Sequence, residues 1–397
     1  ISQVLKSALT QASAEEAAYL TREMDRHRIP LDDAIEQLIA LAKKDKNLRP
    51  SLASQLARSK SVNSAAADLL IEIAGDAETS PAAMIDSMSA LAKINSDKAA
   101  LALIRAQASL ELSDARRQVL RRGREILLGA GLWADHWQAL SQLADGTDSA
   151  ASWAEAMIVA ISVRKETAVE TREQIAKWLE PRWKDPAREV GLIHAVAKSG
   201  RAEYANQVLA ARFSTTPVVK AAAEAAIKEL KLDDSQKSGP KIATIKVEDA
   251  IKQAVAEKGD VSLGEVLFER MSCVKCHTTR KDQPPRGPFL GTIANTYKRD
   301  ALAEAILIPS KTLAQGFVTN VFALEDGTTV TGFVVSEAAD KVTIRNADGV
   351  EREIPTKSID ERTKQNISLM PDGIVKELTI RELSSLLDYL ESLPKQQ

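Results

Sequence analysis

Residues 262–277 read SLGEVLFERMSCVKCH, and they hold both cysteines of the 397-residue chain together with one of its four histidines. Cys273, Cys276 and His277 form a C-x-x-C-H. Two thiols three residues apart can add across the two vinyl groups of a haem, and the histidine after them sits where it reaches the iron from the proximal side. Chance scatter would give this spacing on the order of once in twenty thousand such sequences. The motif predicts one covalently attached haem c.

Three plainer readings of the same residues are weaker. A thioredoxin-like dithiol needs a βαβ setting, whereas the residues before Cys273 have the period of an amphipathic helix and those after it read as loop. A structural zinc needs four ligands, and this region offers two thiolates and one imidazole; His27, His136 and His194 lie far upstream. A structural disulfide fits an oxidising compartment but leaves His277 without a role.

Composition narrows the rest. The length predicts two or three domains, and 44% hydrophobic residues with only 4% aromatic ones favour packed helices over a β-sandwich. A net charge of −2 gives no general reason to bind nucleic acid or anionic lipid. No run of about 20 apolar residues is present, so no transmembrane segment is expected. The chain starts at Ile1 with no signal-peptide pattern and reads as a mature or excised piece of a longer polypeptide. Covalent haem attachment implies export, which places the protein in the periplasm or elsewhere outside the cytoplasm.

Residues 1–231 read as helix after helix, with apolar residues at three- and four-residue spacing over 14–26, 31–44, 51–57, 64–73, 81–94, 99–108 and 114–128. Pro81 and Pro217 mark helix starts. Helix pairs recur at roughly 30 to 40 residues, the period of an α-solenoid. SPAAMIDSMSALAKI and TPVVKAAAEAAIKEL resemble HEAT-type repeats. Trp133, Trp137, Trp153, Trp178 and Trp183 cluster in this half and read as core fillers, although a groove for a partner or a sugar would use the same rings. His27, His136 and His194 read as ordinary surface or satisfied core histidines. Residues 232–246, LDDSQKSGPKIATIK, are polar and aperiodic, a linker to a second domain at 247–397.

In that domain a helix over 263–271 precedes the motif and a last helix spans 378–393. A middle helix runs over 299–307. Residues 317–324 and 328–335 alternate about an Asp-Gly turn, and 341–345 and 350–354 do so about a second, predicting two antiparallel hairpins as a β insert at about 317–355. The Pro/Gly loop Pro284-Pro285-Arg286-Gly287-Pro288 can supply a carbonyl for His277 Nδ1–H, and the same residues also make a plain surface turn. The sixth iron ligand follows by elimination: 247–397 contains no second histidine, Met271 is too near Cys273, and Met370 remains. A Met370 packed on the haem edge beside five-coordinate iron is the other reading.

The arrangement resembles a class I cytochrome c. The resemblance implies that Gly264 and Phe268 pack against the last helix near Tyr389, that the carbonyl of Pro288 orients His277, and that the loop carrying Met370 supplies a thioether. One departure is a spacing from Gly264 to Cys273 one residue longer than usual. CxxCH, RDALAEAILIPS, TGFVV, SLMPDG and the last helix, taken together, resemble the haem-binding domain family of planctomycete and verrucomicrobial proteins. That resemblance implies a domain ending a long secreted polypeptide and draining electrons from an upstream oxidation. The expected fold is mainly α: a HEAT-like α-solenoid followed by a class I cytochrome c domain with a small antiparallel β insert. The expected role is electron transfer by a His/Met-ligated haem, more a carrier than an enzyme by itself, with a redox protein or a fused dehydrogenase module as partner. A haem enzyme or small-ligand sensor with an open distal site, and a solenoid scaffold with an auxiliary haem, are the alternatives.

Overall fold

The computed structural model describes residues 2–393 apart from 28, 30–33, 77, 112–116, 233–238, 284–286, 315 and 348. Among these residues the chain is mainly α-helical, with eighteen α-helices and one five-stranded antiparallel sheet. None of the helices is long and apolar enough to cross a membrane. The chain divides into two compact units, Ile1–Glu203 and Tyr204–Gln397.

The first unit runs from α1 (Ser2–Gln11) to α12 (Pro186–Ser199). Helix α2 (Ala14–Arg26) has the limits its periodicity predicts; the helix expected over 31–44 is α3 (Ile35–Lys44), and that expected over 114–128 is α8 (Arg117–Gly129). Residues 31–33 and 114–116 lie outside those described. Local chemistry sets the starts. Ser80 Oγ accepts from Ala83 N at 3.3 Å ahead of Pro81, and Asp148 Oδ1 accepts from Ala151 N at 2.8 Å ahead of α10 (Ser149–Ser162).

Helix α10 is the hub of this unit. Its sequence SAASWAEAMIVAIS is apolar on every side, and it is buried almost throughout against α7 (Asp97–Glu111), α9 (Trp137–Ala144) and α12. Trp133 and Trp153 are core residues, and Trp133 Nε1 donates to Leu127 O at 3.0 Å. His136 is a satisfied core histidine between Asp97 and Asn95, each at 2.6 Å, while His27 and His194 are exposed.

One carboxyl interrupts α10. Glu155 is buried and fills the notch left by Gly191 on α12, where a Cβ would lie 2.5 Å from its Oε2. Burial pushes its pKa up to about 7, with nearby Arg182, Arg188 and Lys198 pulling it down and Asp145 adding to the rise. A carboxyl raised from its ordinary 4.5 binds its proton more tightly folded than unfolded. Stability is therefore greatest below the unfolded value, falls as pH rises through the folded one, and is flat above. Glu155→Gln should stabilise the first unit at pH 8 by a few kcal/mol at most, read as a higher melting temperature. The two proteins should converge near pH 5, and a constant offset at all pH values would refute the burial cost.

The second unit begins earlier than the polar 232–246 stretch. Helices α13 (Ala205–Ala211) and α14 (Pro217–Leu230) fall within it, and Leu209 and Ala210 of α13, with Phe213 just after it, enter the core shared by α15 (Val247–Ala256), α16 (Val261–Arg270), α17 (Arg299–Leu307) and α18 (Ile380–Ser392). Helical spacing alone groups them with the preceding helices, but it does not say which neighbour receives the apolar face. Of the expected linker, 233–238 lies outside the described residues. Beyond it, Ile242 N donates to Leu378 O at 2.9 Å and Ala243 N to Lys376 O at 2.9 Å, strapping this segment to the lead-in of α18.

The crossing of α16 and α18 organises this core. Leu263, Leu267 and Phe268 meet Leu383, Leu386, Leu387 and Leu390, and the rings of Phe268 and Tyr389 lie 5.5 Å apart. Gly264 makes the contact possible: a Cβ there would sit 1.9 Å from Ser385 O. Arg299, at the start of α17, ties three helix ends together, pairing with Asp388 at 2.6 Å and Glu391 at 2.5 Å and donating to Glu257 O at 3.1 Å. A capping box opens α18, with Thr379 N donating to Glu382 Oε2 at 2.8 Å.

The sheet has five strands, one more than the two expected hairpins. Strands β1 (Thr319–Leu324), β2 (Thr329–Glu337), β3 (Lys341–Arg345) and β4 (Glu351–Pro355) are the anticipated ones, and β5 (Ile359–Gln365) is added against β1, giving the order β4-β3-β2-β1-β5. Phe322, Leu324, Val330, Val342, Ile344 and Ile354 form its own small core. Gly264→Ala should cost about 3 kcal/mol, the upper end of overpacking penalties. Denaturant unfolding of the full chain measures it, and unchanged stability would contradict the close crossing.

Candidate functional site

The motif begins where α16 stops. Met271 N still donates to Leu267 O at 2.8 Å, and then Ser272 takes a left-handed conformation with φ +64°. Few side chains occupy that region without strain. This kink turns the chain into a 3₁₀ turn over Cys273–Lys275. Cys273 opens this turn and Cys276 caps it, so the two thiols lie one turn apart along the chain. His277 N closes the loop by donating to Cys273 O at 2.9 Å.

Glycines bring the following loop alongside. Gly287 passes so near the motif that a Cβ would lie 2.6 Å from Cys276 O, and one at Gly291 would lie 2.3 Å from Thr279 O. Leu290 N donates to Thr278 O at 2.9 Å. In this close pairing Pro288 O lies 2.9 Å from His277 Nδ1, the contact expected from the sequence; Pro284, Pro285 and Arg286 fall outside the described residues. With Nδ1–H donating to a carbonyl, Nε2 carries the lone pair and is the nitrogen that could ligate a metal.

Burial favours the neutral form of this imidazole. Burial lowers the pKa of His277, outweighing the upward pull of the bond to Pro288 O. Cys273 is pushed up to about 11, chiefly by burial and further by Cys276. Both cysteines are thiols rather than a disulfide. Cys273 and Met271 pack against the helical core.

Met370 lies in the loop between β5 and α18 and is half-buried. Met370 N donates to Ser368 Oγ at 3.1 Å, and Ser368 N donates to Ser310 Oγ at 3.1 Å just beyond α17. Thr319 Oγ1 donates to Ile367 O at 2.6 Å. The loop is thus pinned to the middle helix and to the first strand. Cys273, Cys276, His277 and Pro288 form one constellation, and Met370 is held separately. Ser272, Gly287 and Gly291 shape that constellation without any chemical signature of their own.

Among the described residues no group of three or more His, Cys, Asp or Glu side chains is placed to hold a metal ion by itself. No known family's sequence profile matches the chain, and no curated protein matches it.

Ser272 yields a direct test. Ser272→Gly should be neutral or stabilising, whereas Ser272→Val should cost roughly 1 to 2 kcal/mol more, since a β-branched residue resists positive φ. Equal melting temperatures for the two variants would argue against the left-handed kink.

Proposed function

We propose that the second unit is an electron-transfer module carrying one haem c, attached through Cys273 and Cys276 and ligated by His277. The observation that carries this reading is the bond between His277 Nδ1 and Pro288 O. It orients the imidazole and leaves Nε2 for iron, immediately after two reduced thiols on one turn. A dithiol or disulfide has no use for a histidine oriented in this way. The donor set fits haem c and no other common group as well.

The bound group would supply a one-electron Fe(III)/Fe(II) couple. Attachment would exchange each S–H bond of Cys273 and Cys276 for an S–C bond, the hydrogen passing to the adjacent vinyl carbon, so it would be redox-neutral. His277 would hold the iron. We assign Met370 as its second protein ligand, because a thioether is soft, neutral and suited to ferrous iron. Held by these two residues, the group would serve electron transfer instead of activating a substrate.

The fold reading goes with this: a class I cytochrome c domain enlarged by a β insert, behind a HEAT-like α-solenoid, in the manner of the planctomycete and verrucomicrobial haem-binding domains. The location is periplasmic or otherwise extracytoplasmic. A redox protein or fused dehydrogenase module exchanges electrons with it. The observations favouring the cytochrome reading are the glycine-mediated crossing of α16 on α18 and the ring contact between Phe268 and Tyr389.

Optical spectra of the matured full chain test the assignment. The ferric protein should show the long-wavelength band of sulfur–iron ligation. Met370→Ala should abolish that band and lower the potential by roughly 100 mV or more, a fraction of the ~0.8 V over which axial ligands act, while the haem stays attached. A high-spin ferric spectrum in the unaltered protein would instead support an open distal site and a ligand-binding role.

A further inference from the structure

We propose that the turn joining β3 to β4 is a positioning clamp for the Cys276 thiol, so that the sheet builds half of the attachment site. Its purpose rests on the haem reading above; its geometry does not.

The turn is rigid. Asn346 N donates to Val350 O at 3.0 Å, Gly349 N to Asn346 O at 3.0 Å, and Val350 N to Asn346 Oδ1 at 2.9 Å. Just inside it, Arg345 on β3 pairs with Glu351 on β4, directly across the ladder. The register of the hairpin therefore fixes where the turn points.

It points at the motif, and two contacts show this. Ala347 O accepts the Cys276 S–H with sulfur at 3.7 Å. Gly349 lies against the backbone of the preceding residue, where a Cβ would stand 2.9 Å from Lys275 O. The β1–β2 turn provides the contrast. Gly327 has φ +81° and Gly349 φ +78°, so both satisfy the same turn geometry, but a Cβ on Gly327 would have nothing within 4 Å. Turn chemistry alone explains Gly327, whereas Gly349 is also required by close approach to the CxxCH loop.

The two thiols are thus fixed by different parts of the fold. Cys273 packs on the helical core, and Cys276 is directed by the sheet. A β insert in this position orders the second thiol for bond formation.

Alkylation of the unmatured full chain by iodoacetamide, read by peptide mass spectrometry, tests the clamp. Gly349→Val should speed modification of Cys276 by roughly three- to tenfold, the scale of losing one weak local closure, and leave Cys273 unchanged. Gly327→Val imposes the same backbone strain without the contact and should leave both rates unaltered. An unchanged Cys276 rate in Gly349→Val, or an equal acceleration in Gly327→Val, would overturn the proposal. Gly349→Ala is read in the same way if the valine variant lacks a cooperative melt. In the haem-matured chain, Gly349→Val should leave a larger share of Cys276 than of Cys273 unattached, and equal shares would contradict the clamp. A wild-type chain that takes up no haem would refute the haem assignment, while the thiol rates would still decide the clamp.

Discussion

The close crossing of α16 on α18 is the constraint on which the second unit depends. It exists because Gly264 has no side chain to strike Ser385 O, and because Gly259 and Asp260 are tied to the same helix through Asp388 and Ser385. Apolar burial along Leu263, Leu267 and Phe268 then has a surface to meet. Since α16 runs straight into Ser272, Cys273 and His277, the seating of this helix determines where the motif leaves the core. Arg299 adds a second restraint from α17, with two carboxylates and several carbonyls converging on one guanidinium.

From that anchor the proposed haem site is assembled by backbone proximity more than by side-chain packing. Gly287 and Gly291 let one loop run flush with Cys276 and Thr279, and this places a carbonyl on His277. Gly349 lets another turn reach Lys275 from the sheet. Each approach needs a missing Cβ, so the same residue type does at three places what no polar group could do. The chemistry-bearing residues are few, and the glycines decide their geometry.

Much of this was legible in the sequence. The helices over 14–26 and 299–307 keep their predicted limits. The motif, Gly264, Phe268 and Tyr389 were readable from spacing and from resemblance. Strand β5 was not, since IDERTKQ is largely exposed and shows no alternation; pairing with β1 creates it, from Thr319 opposite Gln365 to Leu324 opposite Ile359. The boundary after Glu203 was equally hidden, because α13 has the same helical period whichever core takes its apolar face. The Asn346–Val350 turn was visible as a turn, but its seat on the motif depends on strand register and tertiary packing.

The central claim is that Cys273 and Cys276 covalently hold one haem. The intact mass of the full chain, matured in a host that exports and attaches haem and then measured under denaturing conditions, tests it most directly. The account predicts the mass of the polypeptide plus one haem, lost when both cysteines are replaced by serine. The bare polypeptide mass from the unaltered chain would contradict it.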